Sequence, residues 1–464
     1  MSTENTHYGA EKIRQMLEGC HSVFFIGVGG VNMSSLALIT KERGYGVGGS
    51  DRTRTDVTDR LAASGIEVFY EHKAEHVDGY DAVVYTVAIS PENEEYVRAK
   101  ERGIPLISRS DYLGYLMTGY GNRVGVSGMH GKSTTTSMCA EIFMRAGVDP
   151  TVLSGAAMSS MGGAYRIGGE KHFVFEACEY MDSFLDFYPS IAVILNIEMD
   201  HVDYFESMAH IKESFRRFAE KTGENGCVVA NLDDENVKDA LCGFSGRVLW
   251  FSLTDPNADF YAVRITVTLG RPGFDIMAKG KYFCHADMKT AGRHCVADAL
   301  AAAAAAYECG ISGEQVGEGL SAFAGAARRM EYKGRFMGAD VYDDYGHHPT
   351  EVRTTLEGAA AMGYGRTFCV FQSHTYSRTI GLFDQFKQSF SAVDEAIIAD
   401  IYAAREKDTG VVSGKSLAEA LPNGKYVGDL DAIVEYLKGT LKEGDLLVVM
   451  GAGDIYKIFD IMGL

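Results

Sequence analysis

Short apolar runs that end in glycine or polar residues recur along the chain, with helical patterns between them. The first run, at 22–26, leads into Gly27, Gly29 and Gly30 and then into a helical pattern at 33–43. Similar runs lie at 81–87, 123–126, 172–177, 190–197, 226–231 and 247–252. Strands that alternate with helices pair in parallel, so the pattern predicts doubly wound α/β sheets. We expect GVGGSD at 46–51 to follow a second short strand.

The pattern changes once and then resumes. Residues 263–282 alternate apolar and polar positions, which is typical of half-exposed antiparallel strands. Beyond a charged connector at 325–334, strands recur near 340–344, 367–372, 396–401 and 445–450. Because 464 residues exceed what one core usually serves, the length predicts two to four domains, and the order of strands and helices divides the chain into three. They are a Rossmann-like domain at 1–119, a central P-loop-type sheet with added antiparallel strands at 120–326, and a Rossmann-like domain at 327–464.

Composition narrows the class of protein. The net charge of −19 argues against binding to nucleic acid or to a membrane surface, because phosphate groups there would be repelled. Nine cysteines occur without a C-x-x-C pair, which favours free thiols in a reduced compartment. No stretch of about 18 uninterrupted apolar residues is present. We therefore expect a soluble, cytoplasmic protein. A separate expectation is that it is a monomer or weak dimer.

The segment GMHGKS at 128–133 joins a strand to a helix through a tight glycine loop. Backbone N–H groups and the helix dipole make such a loop a phosphate site. Lys132 would reach the β- and γ-phosphates, and Ser133 would hold Mg²⁺. Val126 occupies the first glycine position of the strict motif, so the alternative is a solvated lysine at a helix start. The flanking strand and helix favour a nucleotide site, whose candidate residues also include Gly128, His130, Gly131 and Thr134.

Acidic and imidazole groups follow the next strands of the central sheet. Glu176 ends the run at 172–177, and Asp200, His201 and Asp203 follow the run at 190–197. Ligands of open α/β sheets bind beyond the carboxyl ends of strands. These groups are therefore candidate partners of Mg²⁺ beside a bound triphosphate. The alternative is a set of polar surface residues.

The glycine turn after the first strand has a different form. Asn32 stands where a dinucleotide fingerprint requires its third glycine. The incomplete fingerprint makes an NAD-dependent oxidoreductase the less favoured interpretation. A glycine-lined diphosphate site remains the favoured one.

Polar clusters also follow two strands of the third domain. They contain Tyr345, His347 and His348 in one segment and His374 and Arg378 in the other. Several imidazoles and an arginine beyond two strand ends suggest recognition of a small carboxylate. Zinc is disfavoured, because adjacent histidines point apart and no cysteine accompanies them. In the connector, Arg328 and Arg329 form either an ordinary charged hinge or an arginine that reaches the triphosphate.

Five ordered motifs, with the glycine turn at 25–30 and the GSD turn at 49–51, carry a resemblance to a known family. They are GMHGKSTTT at 128–136, EACEY at 176–180, NIEMDHVD at 196–203, DDYGHHPTE at 343–351 and FQSHTYSRT at 371–379. Together they resemble the Mur ligase family. The resemblance implies ATP-dependent amide formation in peptidoglycan precursor synthesis. The lactyl carboxylate of UDP-N-acetylmuramate would take the γ-phosphoryl group, and L-alanine would attack the resulting acyl phosphate.

The resemblance also implies roles for individual residues. The catalytic set is Lys132, Glu176, His201 and Arg329, with Ser133, Glu176 and His201 as Mg²⁺ ligands. Asp343 would contact the nucleotide ribose and His294 the adenine side. Gly27, Gly29, Gly30, Ser50 and Asp51 would line the UDP pocket, and Tyr345, His347, His374 and Arg378 would face the incoming amino acid. Lys212 matches a lysine that is carbamylated in sister enzymes.

The chain departs from the family pattern at three places. Cys178 replaces a common aspartate, for which Glu179 or Asp182 could substitute; Cys295 replaces an asparagine on the adenine side; and Met330 replaces a phenylalanine. Two alternatives stay open: a family member that attaches a preformed tripeptide to the same sugar nucleotide, and a non-catalytic nucleotide or sugar-nucleotide sensor.

Overall fold

The computed structural model describes residues 3–201 and 204–464 and contains three sheets. The N-terminal sheet is entirely parallel, in the order β3-β2-β1-β4-β5. Its strands are β1 Ser22–Ile26, β2 Gly46–Ser50, β3 Glu67–Phe69, β4 Ala82–Tyr85 and β5 Leu106–Ser108. Its helices are α1 Ala10–Met16, α2 Val31–Glu42, α3 Asp56–Ala63, α4 Glu94–Arg102 and α5 Arg109–Met117, with a 3₁₀ turn at Ala74–Val77.

The central sheet has the order β15-β14-β13-β12-β11-β10-β6-β9-β7-β8. Its strands are β6 Asn122–Ser127, β7 Thr151–Met158, β8 Gly163–Arg166, β9 His172–Glu176, β10 Ile191–Ile194, β11 Cys227–Asn231, β12 Arg247–Ser252, β13 Phe260–Thr268, β14 Arg271–Ala278 and β15 Lys281–Asp287. Its helices are α6 Lys132–Arg145, α7 Met208–Glu220, α8 Glu235–Ala240, α9 His294–Glu308 and α10 Gly313–Ala322, with 3₁₀ turns at Ser159–Met161 and Tyr180–Asp186. β13, β14 and β15 pair antiparallel, as the alternating pattern predicts.

The C-terminal sheet has the order β16-β17-β21-β18-β19-β20, and β16 is its antiparallel edge. Its strands are β16 Glu331–Phe336, β17 Ala339–Asp344, β18 Arg366–Phe371, β19 Glu395–Ile398, β20 Gly424–Tyr426 and β21 Asp445–Met450. Its helices are α11 Pro349–Ala360, α12 Tyr376–Gly381, α13 Phe383–Phe386, α14 Gly414–Glu419, α15 Leu430–Thr440 and α16 Ile458–Met462, with a 3₁₀ turn at Ile455–Lys457. The predicted three-domain α/β class is confirmed, while the residue boundaries of the domains stay predictions.

Burial on both faces explains why the sequences of the parallel strands are continuous apolar runs. Both faces of the central sheet are covered, so Val124 and Val126 of β6 and Val193 of β10 are fully buried. The alanine-rich α9 packs into the same core, because small side chains let it lie close to the sheet. The strand interiors thus build the core and leave the carboxyl ends of the strands for ligands.

One element differs from its prediction. Residues 46–50 form β2 itself instead of a turn after a strand. Gly48 lies against the Tyr80 hydroxyl and Gly49 against the Phe25 carbonyl, so a side chain at either position would clash. Close packing selects glycine there, although glycine has a low strand propensity.

Among the helices of residues 3–201 and 204–464, none combines the length and apolar character that a membrane span requires.

Candidate active site

The loop after β6 turns the chain sharply into α6. Gly128 has φ +142° and Gly131 has φ +81°, a region that side-chain-bearing residues rarely adopt. Asn196, which follows β10, fixes the loop: its Oδ1 accepts the His130 N–H at 2.8 Å, and its Nδ2 donates to the His130 carbonyl at 3.0 Å. The first N–H groups of α6 are thereby held in the arrangement that binds phosphate.

Lys132 lies in a buried cluster of charges. Its Nζ donates to the Gly128 carbonyl at 2.6 Å and lies 3.0 Å from Glu179 Oε2. The other oxygen of Glu179 lies 3.3 Å from His201 Nε2. Burial opposes the charge on both partners, but their attraction outweighs it, so the pKa of Lys132 is raised and that of Glu179 is lowered. Glu179, considered from the sequence only as a substitute acid, thus links two predicted catalytic residues.

Glu176 and Ser133 form a second pair beside this cluster. Ser133 Oγ donates to Glu176 Oε2 at 2.8 Å, and the Gly155 N–H donates to the same oxygen at 2.8 Å. A hydroxyl and carboxylates are ligands that Mg²⁺ prefers, so this donor set fits the predicted metal. Asp203, another predicted partner of the metal, lies outside the described residues.

His130, Glu198 and His348 also place three potential ligand atoms within 4.8 Å of one another. However, the His130 ring lies between two carboxylates: its Nε2 is 3.3 Å from Glu198 Oε2, and its Nδ1 is 3.4 Å from Glu351 Oε1. Burial opposes its charge, but the two carboxylates outweigh burial and raise its pKa to about 9. A protonated imidazole offers no lone pair to a metal. The cluster is better described as an ion pair between the central and C-terminal domains.

A cavity of about 280 Å³ lies on the α9 side of the phosphate loop. His130, Gly131 and Thr134 of the loop line it, as do His294 at the start of α9 and the connector residue Arg329. Its apolar lining includes Leu195, Phe251, Phe323 and Cys295. Its size and lining suit a nucleoside.

Asp343 does not line this cavity. Its Oδ2 lies 3.2 Å from Arg328 Nε, whereas the neighbouring Asp344 faces the cavity and accepts the Met330 N–H at 2.9 Å. Successive residues of a strand point to opposite faces, so only one of the two adjacent aspartates can face the nucleotide cavity. Asp344 therefore lines the cavity and Asp343 does not, while the predicted contact of Asp343 with the ribose stays a prediction.

The residues predicted to face the amino acid do lie together. The His347 ring lies 5.6 Å from that of Tyr345 and 5.9 Å from that of His374. Arg378 Nη1 lies 3.2 Å from His374 Nδ1, and Arg378 Nη2 lies 3.0 Å from Asp200 Oδ1. Burial lowers the pKa of His347 to about 4, so its imidazole is neutral at pH 7. Asp200 ties this cluster to the central domain.

In the N-terminal sheet, the glycine turn after β1 is closed by an aspartate. Gly27 has φ +84°, Gly30 caps α2, and the Gly29 N–H donates to Asp51 Oδ2 at 2.9 Å. Ser50 also borders this turn, because its carbonyl accepts the Gly27 N–H at 2.8 Å and the Val28 N–H at 2.9 Å. Its side chain is fully buried, and its Oγ donates to Glu95 Oε2 at 2.6 Å. The Ser50 hydroxyl is therefore directed into the domain interior, while the position of Ser50 in the UDP pocket stays a prediction.

Lys212 of α7 forms an exposed ion pair, with its Nζ 2.9 Å from Asp239 Oδ2 on α8. This partner belongs to neither the Lys132 cluster nor the nucleotide cavity. The contact gives no support to a role of Lys212 in the chemistry.

Family models match all three parts of the chain. The Mur ligase middle domain matches residues 126–306, the Mur ligase family catalytic domain residues 22–120, and the Mur ligase glutamate ligase domain residues 328–453. The chain belongs to the Mur ligase family.

Relatives and solved structures agree with this assignment. UDP-N-acetylmuramate–L-alanine ligase of Caldanaerobacter subterraneus subsp. tengcongensis is 45% identical over 95% of this chain and 97% of its own. The crystal structure of UDP-N-acetylmuramate–alanine ligase from Thermotoga maritima has a TM-score of 0.78 and 25% identity, covering 95% of this chain and 98% of its own. A murein peptide ligase from Psychrobacter arcticus shares the fold, with a TM-score of 0.68, 24% identity and coverage of 95% and 98%.

Proposed function

We propose that the chain ligates L-alanine to the lactyl carboxylate of UDP-N-acetylmuramate at the expense of ATP, releasing ADP and phosphate in peptidoglycan precursor synthesis. The observation that carries this proposal is the buried cluster of Lys132, Glu179 and His201 beside the phosphate loop. A protein that merely binds nucleotide does not need a charged cluster of this kind. The full-length relatives named as alanine ligases support the same reaction.

The chemistry requires an activated carboxylate, because a free carboxylate is a poor electrophile. A lactyl carboxylate oxygen attacks the γ-phosphorus of ATP, the bond from phosphorus to the β–γ bridging oxygen breaks, and ADP leaves. The amine of L-alanine then attacks the acyl carbon and loses a proton, and phosphate departs with the electron pair of the C–O bond. Both steps depend on positioning and on neutralisation of charge at the phosphoryl oxygens.

Lys132 is placed to neutralise charge on the phosphoryl group. Its fixed contacts with Gly128 and Glu179 hold the ammonium at the entrance of α6 and keep it protonated. Arg329, which lines the nucleotide cavity, supplies a second positive charge from the connector. Ser133, Glu176 and His201 would hold Mg²⁺, which supplies charge neutralisation between the phosphates and the carboxylate when bound.

The three domains divide the substrates in this proposal. Residues 1–119 hold the UDP sugar through Gly27, Gly29, Gly30 and Asp51. Residues 120–326 hold ATP, and residues 327–464 admit the amino acid. In the last of these, Tyr345, His347 and His374 shape the pocket and Arg378 pairs with the amino-acid carboxylate. Because Arg378 is bonded to Asp200 in this conformation, that pairing requires it to share or exchange its partner.

The test is phosphate release from ATP and Mg²⁺ with UDP-N-acetylmuramate, in the presence and absence of L-alanine. We expect release only when both the sugar nucleotide and L-alanine are present. Release with the tripeptide but not with L-alanine would replace the proposal with the tripeptide-adding reaction. No release with either acceptor, together with retained ATP binding, would favour a sensor.

A further inference from the structure

Arg109 is a partly buried arginine at the junction of the N-terminal and central sheets. It opens α5 directly after β5, so it lies at the same edge of the parallel sheet as the glycine turn after β1. The next residue, Ser110, donates its Oγ to Asp186 Oδ2 at 2.6 Å. Asp186 ends the helical turn that follows Glu179. The first turn of α5 is therefore hydrogen-bonded to the helical turn that follows Glu179.

Arg109 has no hydrogen-bond or ion-pair partner in residues 3–201 and 204–464. Burial lowers the pKa of Arg109. Among the described residues, the Cys178 thiol interacts electrostatically with its guanidinium and partly opposes this shift. Other buried arginines of the site differ: Arg329 lies 3.7 Å from Glu351, and Arg378 lies 3.0 Å from Asp200. A guanidinium that loses water without gaining a partner destabilises the fold, so an anion that binds there would be favoured.

The position of Arg109 indicates which anion this would be. Cys178 lies between Glu176 and Glu179 in the sequence, and Glu179 Oε2 lies 3.0 Å from Lys132 Nζ. A ligand that extends from the glycine turn at Gly27 to the phosphate loop must cross this junction. Guanidinium groups bind carboxylate and phosphate oxygens through two parallel hydrogen bonds, and the sugar-nucleotide substrate carries both kinds of group.

We propose that Arg109 binds an anionic group of the sugar-nucleotide substrate, its carboxylate or its diphosphate, and so holds this substrate between the N-terminal and central domains. The inference rests on the proposed function. It assigns to the N-terminal domain a charged substrate contact that its glycine turn alone lacks.

The test compares Arg109→Gln and Arg109→Lys with the wild type, with Arg102→Gln as the matched control on the exposed end of α4. In Arg109→Gln we expect KM for UDP-N-acetylmuramate to rise about 30-fold or more, as for a lost buried charged pair. KM for ATP should stay within about twofold of wild type. In Arg109→Lys we expect a smaller rise in KM for UDP-N-acetylmuramate, since lysine keeps the positive charge but cannot donate two parallel hydrogen bonds. Arg102→Gln should behave as wild type.

Inhibition by UDP identifies the group that is bound, because UDP has the diphosphate but no carboxylate. An inhibition constant that rises together with KM assigns Arg109 to the diphosphate, and an unchanged constant assigns it to the carboxylate. An unchanged KM in Arg109→Gln, with an active wild type, would overturn the inference. Equal increases in KM for every substrate, with a lowered Tm, would also overturn it and indicate a structural role. An inactive wild type would instead refute the proposed function.

Discussion

Two glycine turns of this molecule follow buried parallel strands, yet they are built for different tasks. The turn after β6 leads to Lys132, which contacts Glu179 from the segment after β9, and Glu179 in turn contacts His201 from the segment after β10. The N-terminal N–H groups of α6 remain for phosphate. The turn after β1 contains no charged side chain, and Asp51 already accepts the Gly29 N–H. In the proposed reaction, the same local geometry serves phosphoryl transfer in one domain and binding of the UDP sugar in the other. What differs is the set of charges supplied by neighbouring strands.

Replacing Lys132 should have the largest effect. In Lys132→Ala we expect turnover to fall by about a thousandfold or more, because the charge that stabilises the transferring phosphoryl group is lost. Binding of UDP-N-acetylmuramate, measured by calorimetry, should stay near normal. Lys281→Ala, on an exposed position of β15, is the control. A comparable loss of sugar-nucleotide affinity in Lys132→Ala would contradict the division between the two turns.

Replacing Arg378 tests the third region of the site. Arg378→Ala should raise KM for L-alanine about 30-fold or more, as expected for a lost buried charged pair, and change KM for ATP much less. Arg405→Ala, at an exposed position in the same domain, should change neither constant. If the dependence of the rate on L-alanine is unchanged in Arg378→Ala, Arg378 contributes only its ion pair with Asp200.

Replacing Glu179 with glutamine removes the negative charge between Lys132 and His201 but keeps the size of the side chain. Glu179→Gln leaves Lys132 and His201 buried without their shared carboxylate, so we expect turnover to fall by about tenfold or more and Tm to fall as well. Glu224→Gln, an exposed exchange of the same kind, is the control. Wild-type kinetics and Tm in Glu179→Gln would show that the cluster is dispensable.

Adding a methyl group to the other turn should have a smaller and more selective effect. In Gly27→Ala, the new Cβ would meet Thr86 Cγ2 at 2.9 Å in a backbone region that alanine rarely adopts. Strain of about 1–3 kcal/mol should raise KM for the sugar nucleotide roughly tenfold and leave KM for ATP unchanged. Gly44→Ala has similar backbone strain in open space and should lower Tm alone. Equal kinetics in the two variants would remove the turn after β1 from the binding site.

The smallest effect concerns pH. The folded-state pKa of His130 is raised to about 9, so the stability that it contributes is fully present below about pH 6.5 and lost as pH rises through 9. The free energy of unfolding of the wild type should fall by about 2 kcal/mol more than that of His130→Gln between pH 7 and 8.5. His21→Gln, at an exposed histidine, should follow the wild type. Parallel curves for wild type and His130→Gln would show that this imidazole is uncharged.

The sequence predicted the elements that are fixed by local pattern. Buried parallel strands read as apolar runs, and alternation identified the antiparallel strands β13, β14 and β15. The strand β2 was missed because its three glycines give it neither an apolar run nor a high strand propensity. Its formation depends on packing against Tyr80 and Phe25.

The predicted site residues divide in the same way. Lys132 and His201 were found through their motifs, whereas the role of Glu179 depends on a fold that brings the segment after β9 back to the phosphate loop. Asp343 and Asp344 are adjacent in sequence, and the strand register alone decides which of them faces the nucleotide cavity. Arg109 carries no motif, and its lack of a partner is visible only after folding.

The most direct test of the proposed reaction follows an oxygen atom. UDP-N-acetylmuramate labelled with ¹⁸O in its lactyl carboxylate is incubated with ATP, Mg²⁺ and L-alanine, and the released phosphate is examined by mass spectrometry. An acyl phosphate requires one carboxylate oxygen to leave with the phosphate, so we predict one label per phosphate released. Phosphate without label would show that water attacks ATP, and would contradict ligation through an activated carboxylate.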